Sequence, residues 1–445
     1  MVGLAPVAAR AQDRPVYTLE RLIAEGQRTH GTVVGAQHGV ESARQLLTEA
    51  QRAWWPNFSV EGLVAPSVDV HCATPQCLEG DIRNPTQVYP TGVLSRWELR
   101  MGFPIYTFGK FSNATKAAEQ GLYSSESRLE AARQEIAINV KRAYYGVKVA
   151  RELLDMIKEG RDKLEDAIKE VEEDLEKGKS SGSETDRLRL RVAETLVDAR
   201  TLEARKAETL ALAGLRALAP SVPQRFDIDP EPIEPVTLPE RPPAFYIEAA
   251  RRHRPEAQMV RFGRDAARAN LEINKSNFYP DIVLGASLFG LWKTTDDDDP
   301  LSPYMLHPFA SYGYGGGLFV RWGLDLHLKI PRYLRAREDY EGALAFGQAA
   351  DDGMALEVTT AYESVTESRS RLALFERGEK TAHSWLTAIA QNYAIGTAEA
   401  REFNDALLAY FEAKSRYIQA IFDFNMSVAW LHRVVGVDVT SDVAK

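Results

Sequence analysis

The chain has 445 residues, and its 44% hydrophobic and 26% charged residues provide enough apolar material for a buried core. A net charge of −9 argues against nucleic-acid binding, because such proteins present a basic surface to the phosphates. The sequence contains no run of eighteen apolar residues, so no membrane-spanning helix is predicted.

The first sixteen residues (1–16) have the features of a secretory signal remnant followed by an N-terminal extension. Ala9-Arg10-Ala11 has the small-x-small form of a cleavage site, while a basic start and a full apolar stretch are missing. We expect the signal to begin further upstream. The residue directly after the site is not a cysteine, so a lipid-anchored N-terminus is not expected.

Two cysteines occur, Cys72 and Cys77, in the stretch HCATPQC. They could be free thiols in a cytosolic loop, or zinc ligands together with His71, although a fourth zinc ligand is not evident. A short-loop disulfide in an oxidising compartment agrees with the signal remnant, and it is the interpretation that we favour.

The sequence repeats itself. Residues 43–58 align with 267–282 at an offset of 224, and residues 137–145 align with 355–363 at an offset of 218. We therefore predict two structural repeats, 17–219 and 244–436, joined by a proline-rich linker at 220–243 and followed by a tail at 437–445.

Each repeat has a long stretch without proline, where apolar residues recur every three or four positions. Arg161, Ser368 and Glu379 are the polar exceptions. Glu379 is the counterpart of Arg161, and this matched pair could set the register or simply be solvated. The pattern predicts mainly α-helical structure in the form of antiparallel coiled coils. Helices are expected at about 18–53, 109–177, 184–218, 244–277 and 398–435, with the second long helix ending before Gly396. A helix over 109–177 would be roughly 100 Å long, which predicts a rod.

Four segments between the helices alternate as strands do: 57–65, 93–103, 281–292 and 311–325. In 93–103, one face carries aromatic and aliphatic residues such as Trp97 and Phe103, and the other carries charges such as Glu98 and Arg100. These lengths and faces are typical of tilted strands that cross a bilayer. A small sheet packed on the helices is the alternative. Because four strands cannot close a barrel, membrane strands would require several chains to share one.

At this point the chain resembles a known family. Two copies of helix, strand pair, long helix and returning helix, with WWPNF and FYPDI before the strands, FPIYTFGK at 103–110 and YAIGT at 393–397, are similar to TolC-like outer-membrane efflux channels. The resemblance implies a homotrimer in the outer membrane of a Gram-negative bacterium. Its shared twelve-stranded barrel would continue into a helical tunnel in the periplasm.

The same resemblance implies the function and the partners. Such channels are passive exit ducts of tripartite efflux pumps or type I secretion systems, and they dock with a periplasmic adaptor and an inner-membrane pump. They export drugs, small toxic compounds or polypeptides. We find no phosphate-binding glycine loop, no metal-spaced histidines and no nucleophile beside a base, so neither catalysis nor a cofactor is expected. The competing interpretation is a soluble periplasmic coiled-coil adaptor or structural protein.

The resemblance also assigns a channel entrance. In the family, aspartates form a ring at the narrow inner mouth of the tunnel, shortly after the glycine at the tip of the second helical hairpin. That glycine is Gly396 here, and Glu402 and Asp405 match the aspartates. Being three apart, the two residues share a helix face. Tyr393 matches a tyrosine of the closed state, whose partner would be Asp186 or, in another alignment, Glu184. The family's arginine at this tip falls on Ala398, so one closing contact is expected to be missing. Alternatively, the two acids simply favour the positive end of a helix, and Tyr393 is a seam residue.

Overall fold

The computed structural model describes residues 15–72, 86–177, 184–294, 311–395 and 397–439. Its elements follow one another in the order β1 (Val16–Tyr17), α1 (Leu19–Thr29), α2 (Gly31–Arg52), β2 (Asn57–Cys72), β3 (Thr86–Tyr106), α3 (Lys110–Glu176), α4 (Glu184–Leu218), β4 (Asp227–Ile228), α5 (Pro243–His253), α6 (Pro255–Ser276), β5 (Asp281–Lys293), β6 (Ser311–Arg321), α7 (Leu326–Ala394) and α8 (Ala400–Val435). No helix in these ranges combines the length and the apolar character needed to span a membrane.

The chain forms two compact units. The helical unit comprises the described parts of Met1–Ser42, Tyr123–Phe262 and Ala345–Lys445, and the sheet unit comprises those of Ala43–Leu122 and Gly263–Leu344. Each unit therefore takes segments from both halves of the chain.

The sheet unit contains the four predicted strands in one antiparallel sheet, in the order β2-β3-β5-β6. Arg100 of β3 lies between Ser59 of β2 and Ser287 of β5, which fixes the register of the three strands. β2 and β3 extend beyond the predicted 57–65 and 93–103, and the two strands remain paired as far as Cys72 and Thr86. β6 ends at Arg321, earlier than the predicted 325, and α7 begins at Leu326.

The two faces of the sheet differ in polarity, as the alternation predicted. On one face Trp97 lies beside Gly290, which pairs in turn with Tyr312, and the side chains of Trp97 and Tyr312 are 55% and 85% exposed. The other face carries a charged ladder in which Glu98 accepts from Arg100 at 2.6 Å, and Arg100 also reaches Glu61 at 3.0 Å. An apolar face this open to solvent is unusual for a monomeric soluble protein.

The turn from β3 into α3 has a constrained backbone. Phe108 has φ of 51° and Gly109 has φ of 93°, and glycine adopts such values without steric cost. The Phe108 ring stacks on Tyr279 with ring centroids 5.1 Å apart, which stabilises the less favourable conformation of the phenylalanine. Lys110 then donates to Asp281 at 2.7 Å, so the start of α3 is attached to the start of β5.

In the helical unit, the predicted seam residues are buried in both long helices, for example Val140 and Val147 in α3 and Val358 and Leu386 in α7. The first predicted helix of each repeat is divided. The backbone is extended at His30, between α1 and α2, and at Arg254, between α5 and α6. These breaks lie 224 residues apart, which equals the offset of the sequence repeat. Pro255 favours the second break, because the residue before a proline avoids helical geometry.

The proline-rich linker is packed against the helices. Phe226, Ile228 and Ile233 are buried, and the side chain of Asn425 in α8 is 1% exposed. Asn425 Nδ2 donates to the carbonyl of Glu234 at 2.8 Å, and its Oδ1 accepts from the N–H of Val236 at 2.9 Å. One amide thus holds the linker at two points.

Replacing Asn425 with alanine should lower the free energy of unfolding by about 2 kcal/mol, because a buried N–H and a buried carbonyl lose their partner. Chemical denaturation of the purified protein would measure this loss. Gln419→Ala is the matched control, since among the described residues the Gln419 side chain bonds to Asp423 of its own helix, at the surface. It should change stability by less than about 0.5 kcal/mol. Equal losses in the two variants would contradict the role of Asn425.

Candidate functional site

The connection between α7 and α8 is held by three hydrogen bonds to the backbone carbonyl of Asn392. The carbonyl of Asn392 accepts from the N–H of Thr397 at 2.9 Å, from its hydroxyl at 3.0 Å and from the N–H of Ala398 at 3.3 Å. Glu399 is the N-cap of α8, and its side chain makes no capping bond. The short turn brings the first residues of α8 back along the end of α7.

Glu402 and Asp405 both lie on the exposed face of the first turns of α8. In the described part of the chain Glu402 has no hydrogen bond or ion pair, and Asp405 lies 3.9 Å from Arg401 in a loose pair between exposed side chains. Exposed pairs of this kind contribute little to stability. The carboxylates are therefore available to ions in solution.

Tyr393 is half-buried and stacks on Phe403 of α8, with ring centroids 5.4 Å apart and planes 25° from parallel. Asp186, its predicted partner, lies in α4, but the side chain of Asp186 is outside the described part. The alternative partner, Glu184, is exposed and bonds to Arg187 of its own helix at 2.6 Å. The contact between Tyr393 and α4 stays a prediction.

Four helices share one core next to these residues, which we call the four-helix cluster. Its buried members are Leu164, Ala167, Ile168 and Val171 of α3, Leu190 and Ala193 of α4, Ala382 and Leu386 of α7, and Phe403, Ala406, Leu407 and Tyr410 of α8. Glu402 and Asp405 project from the opposite side of α8. The cluster therefore fixes the orientation of the acidic face.

Sequence reasoning missed a contact between α3 and α8. The ring of Phe411 occupies the space that a side chain at Gly160 would need, and Lys414 lies 3.8 Å from Glu159 one residue earlier. The available signal was a glycine directly before Arg161, the polar exception in the seam of α3. Arg161, one of the polar exceptions, pairs with Asp198 of α4 at 3.2 Å, so it connects two helices.

The predicted disulfide lies outside the described residues, because Cys77 falls within 73–85. Cys72 ends β2, and its side chain is also outside the described part. The disulfide accordingly remains a prediction.

The carboxylates at the start of α8 are arranged for ion binding, not for catalysis. At the start of α8, Glu399, Glu402 and Asp405 provide three carboxylates against one guanidinium, that of Arg401, all on or near one exposed surface. Such a surface attracts cations, and the attraction grows when several copies bring their carboxylates together.

Sequence comparison identifies the family. The family model described as "Outer membrane efflux protein" matches residues 96–219 and 246–437. The alkaline protease secretion protein AprF of Pseudomonas aeruginosa is 26% identical over 191 residues, which are 42% of this chain and 39% of that protein. The probable outer membrane lipoprotein SilC of Salmonella typhimurium is 26% identical over 275 residues, 61% of this chain and 55% of that protein. The matched regions thus span about two fifths to just over half of the length of these relatives.

Solved structures show the same fold. The outer-membrane channel OprN has a TM-score of 0.76 at 16% identity, with 95% of this chain and 91% of that chain covered. CusC has a TM-score of 0.74 at 17% identity, with 94% and 92% covered. VceC of Vibrio cholerae has a TM-score of 0.72 at 16% identity, with 94% and 96% covered. Together with the family match over most of its length, this agreement shows that the chain belongs to the outer membrane efflux protein family.

Proposed function

We propose that the chain is one subunit of a homotrimeric channel that forms the exit duct of a tripartite efflux pump or a type I secretion system. Family membership places it in the outer membrane of a Gram-negative bacterium. In the proposal the three sheets complete a twelve-stranded barrel and the helices enclose a tunnel in the periplasm. A periplasmic adaptor and an inner-membrane pump are the partners.

The proposal rests on the sheet, which has an exposed apolar face and two open edges. Among the described residues β2 and β6 each have a neighbour on one side only. In lipid, unpaired backbone groups at an edge cost several kcal/mol each, and barrel closure removes that cost. Pairing β6 of one copy with β2 of the next satisfies both edges, and it places the charged ladder of Glu61, Glu98 and Arg100 inside.

The test is the location and assembly of the full-length protein expressed in a Gram-negative host. We expect it in the outer-membrane fraction, as a trimer in mild detergent, and with ion conductance after insertion into a planar lipid bilayer. Recovery as a periplasmic monomer without conductance would favour the soluble adaptor and would refute the channel.

We further propose that Glu402, Asp405, Tyr393 and Asp186 belong to the channel entrance. The exposure and weak pairing of Glu402 and Asp405 support this assignment. In a trimer each carboxylate becomes a ring of three, which would favour cations and would bind multivalent ones.

Replacing Glu402 with glutamine and Asp405 with asparagine should reduce the ratio of cation to anion permeability by about twofold to fivefold, since each lost carboxylate weakens an electrostatic attraction in an aqueous neck. Block by multivalent cations should weaken as well. Reversal potentials of single channels in a salt gradient measure the permeability ratio, and the decrease in current on addition of a multivalent cation measures the block. Glu412→Gln, further along α8, removes a carboxylate that already pairs with Arg416, and it should leave selectivity unchanged.

The proposed passage is passive, and its cargo is either small compounds or polypeptides. A fusaric acid resistance protein of Burkholderia cepacia is 28% identical over 207 residues, and the relative AprF is named for protease secretion. The names of these relatives support an export role for the chain.

A further inference from the structure

A polar pocket of about 330 Å³ lies within the sheet unit, where the strands meet the helices. It is lined by the start of α3, the end of α6, the first residue of β5, the last residue of β6 and the start of α7. The charged and amide residues that line it are Lys110, Asn274, Asn277, Asp281, Arg321, Asp325, Lys329 and Arg332.

The charges of the pocket do not balance. Asp281 is paired with Lys110 at 2.7 Å, and Asp325 lies 3.8 Å from Lys329. The negative charges of the two carboxylates thus offset the positive charges of the two lysines. The guanidinium groups of Arg321 and Arg332 have no ion pair or hydrogen bond in the part of the chain that the structure describes, which leaves two positive charges.

Both lysines are held in place by the pocket. The Lys110 and Lys329 side chains are 18% and 12% exposed, and Lys329 also donates to the carbonyl of Gly323 at 2.5 Å. Asn277 adds an amide whose side chain has no partner among the described residues. A partly enclosed site with two unpaired guanidiniums favours an anion that can accept two parallel bonds from each fork, and phosphate has that geometry.

We infer that this pocket binds a phosphate group, with Arg321 and Arg332 as its main donors. The phosphate could belong to a phospholipid headgroup or to a soluble anion. Trp322, the residue directly after β6, is 56% exposed, and its indole N–H donates to the carbonyl of Phe278 at 3.0 Å. Tyr279 is exposed at the pocket as well. Tryptophan and tyrosine are enriched at the level of lipid headgroups, which favours the phospholipid as the source. That source rests on the membrane position proposed above, whereas the phosphate chemistry does not.

The test is calorimetric titration of the purified full-length protein with three probes. Dihexanoyl phosphatidylglycerol below its micelle concentration represents the lipid, sodium phosphate represents the free anion, and dihexanoylglycerol has the same acyl chains without phosphate. We expect binding of the phosphatidylglycerol and no comparable binding of the dihexanoylglycerol. If sodium phosphate binds equally well and competes, the ligand is a soluble anion; if it binds much more weakly, the ligand is the lipid.

The double variant Arg321→Gln with Arg332→Gln should weaken this binding by about tenfold or more, because two charge-assisted donors are lost. Arg335→Gln is the matched control, since Arg335 is exposed one turn further along α7 and does not line the pocket. Arg332→Lys keeps the charge but loses the fork, so it should give an intermediate loss even if the double variant is unstable.

Three results would overturn the inference: no binding of either phosphate probe to the parent protein, equal binding of dihexanoylglycerol, or binding by the double variant within twofold of the parent. Conductance of the same samples separates this inference from the proposed function. Conductance without phosphate binding would refute the phosphate site and leave the channel function standing. Phosphate binding without conductance would refute the channel function and leave the phosphate site standing.

Discussion

Replacing Gly436 with alanine should lower the free energy of unfolding by about 3 kcal/mol, one of the two largest effects that we expect. Gly436 ends α8 with φ of 84°, a conformation that costs a residue with a Cβ about 1–2 kcal/mol. An added Cβ would also lie 2.7 Å from the Cα of Arg254 and 2.8 Å from its backbone nitrogen. Those atoms belong to the chain break between α5 and α6, so neither side can move without disturbing a helix end.

The position of Gly436 makes the clash difficult to avoid. Its N–H donates to the carbonyl of His432 at 2.9 Å, and its carbonyl accepts from Gln134 of α3 at 3.3 Å. The side chain of Arg254 is fixed by Glu357 of α7 at 2.7 Å and by Glu256 at 3.2 Å. A shift of either backbone would therefore weaken several bonds, which adds to the conformational cost.

Denaturation of the variant in mild detergent, compared with Gly353→Ala, measures this cost. Gly353 lies inside α7, and an added Cβ there meets nothing within 4 Å, so alanine should be neutral or stabilise by up to about 1 kcal/mol. Destabilisation of both variants to the same degree would show that the close approach to Arg254 is not the cause.

The repeated pattern of prolines and apolar seams was enough to predict the long helices. The prediction of 109–177 agrees with α3 at Lys110–Glu176, and that of 184–218 agrees with α4 at Glu184–Leu218. The reason is local, because a seam of apolar residues without proline over many turns is compatible with few other structures. The charged and apolar faces of the strands were confirmed for the same reason, since alternation determines the face of each residue.

Features that depend on contacts between distant residues could not be predicted. The break at His30 has no proline to announce it, unlike its counterpart at Arg254. The packing of Phe411 against Gly160 joins residues 251 positions apart, and no periodicity relates them. At the candidate entrance, the sequence placed Glu402 and Asp405 on one face, but the stacking of Tyr393 on Phe403 required the turn between α7 and α8.

A second large effect is expected from the titration of His432, near the end of α8. The pKa of His432 is lowered to about 4, chiefly by burial and also by the positive charge of Lys141, while Asp438 partly opposes both. The imidazole Nδ1 lies 3.8 Å from Asp438, and the side chain is 28% exposed. The folded protein thus keeps this histidine neutral at pH values where the unfolded chain protonates it.

The direction in which stability changes with pH follows from proton linkage. Above about pH 6.5 His432 is neutral in both states and contributes no pH dependence. Between pH 6.5 and 4 the unfolded state binds a proton that the folded state does not, so stability falls as the pH falls. The full shift corresponds to a loss of about 3 kcal/mol, reached near pH 4.

His432→Gln should remove this part of the pH dependence, because glutamine is neutral in both states. Since carboxylates titrate in the same range, the informative quantity is the difference in unfolding free energy between parent and variant, measured by denaturation at several pH values. That difference should change in favour of the variant by about 3 kcal/mol between pH 7 and pH 4.

Lys141→Met tests the electrostatic cause separately. Removing the positive charge eliminates one of the influences that lower the pKa of His432 in the folded state, so the lower limit of the pH window of lost stability should rise. The upper limit, set by the unfolded state, should stay unchanged, so the window becomes narrower. If the Lys141 variant loses stability over the same pH range as the parent, Lys141 does not act on His432. If His432→Gln keeps the parent's full pH dependence, the buried imidazole is not the group responsible for acid destabilisation.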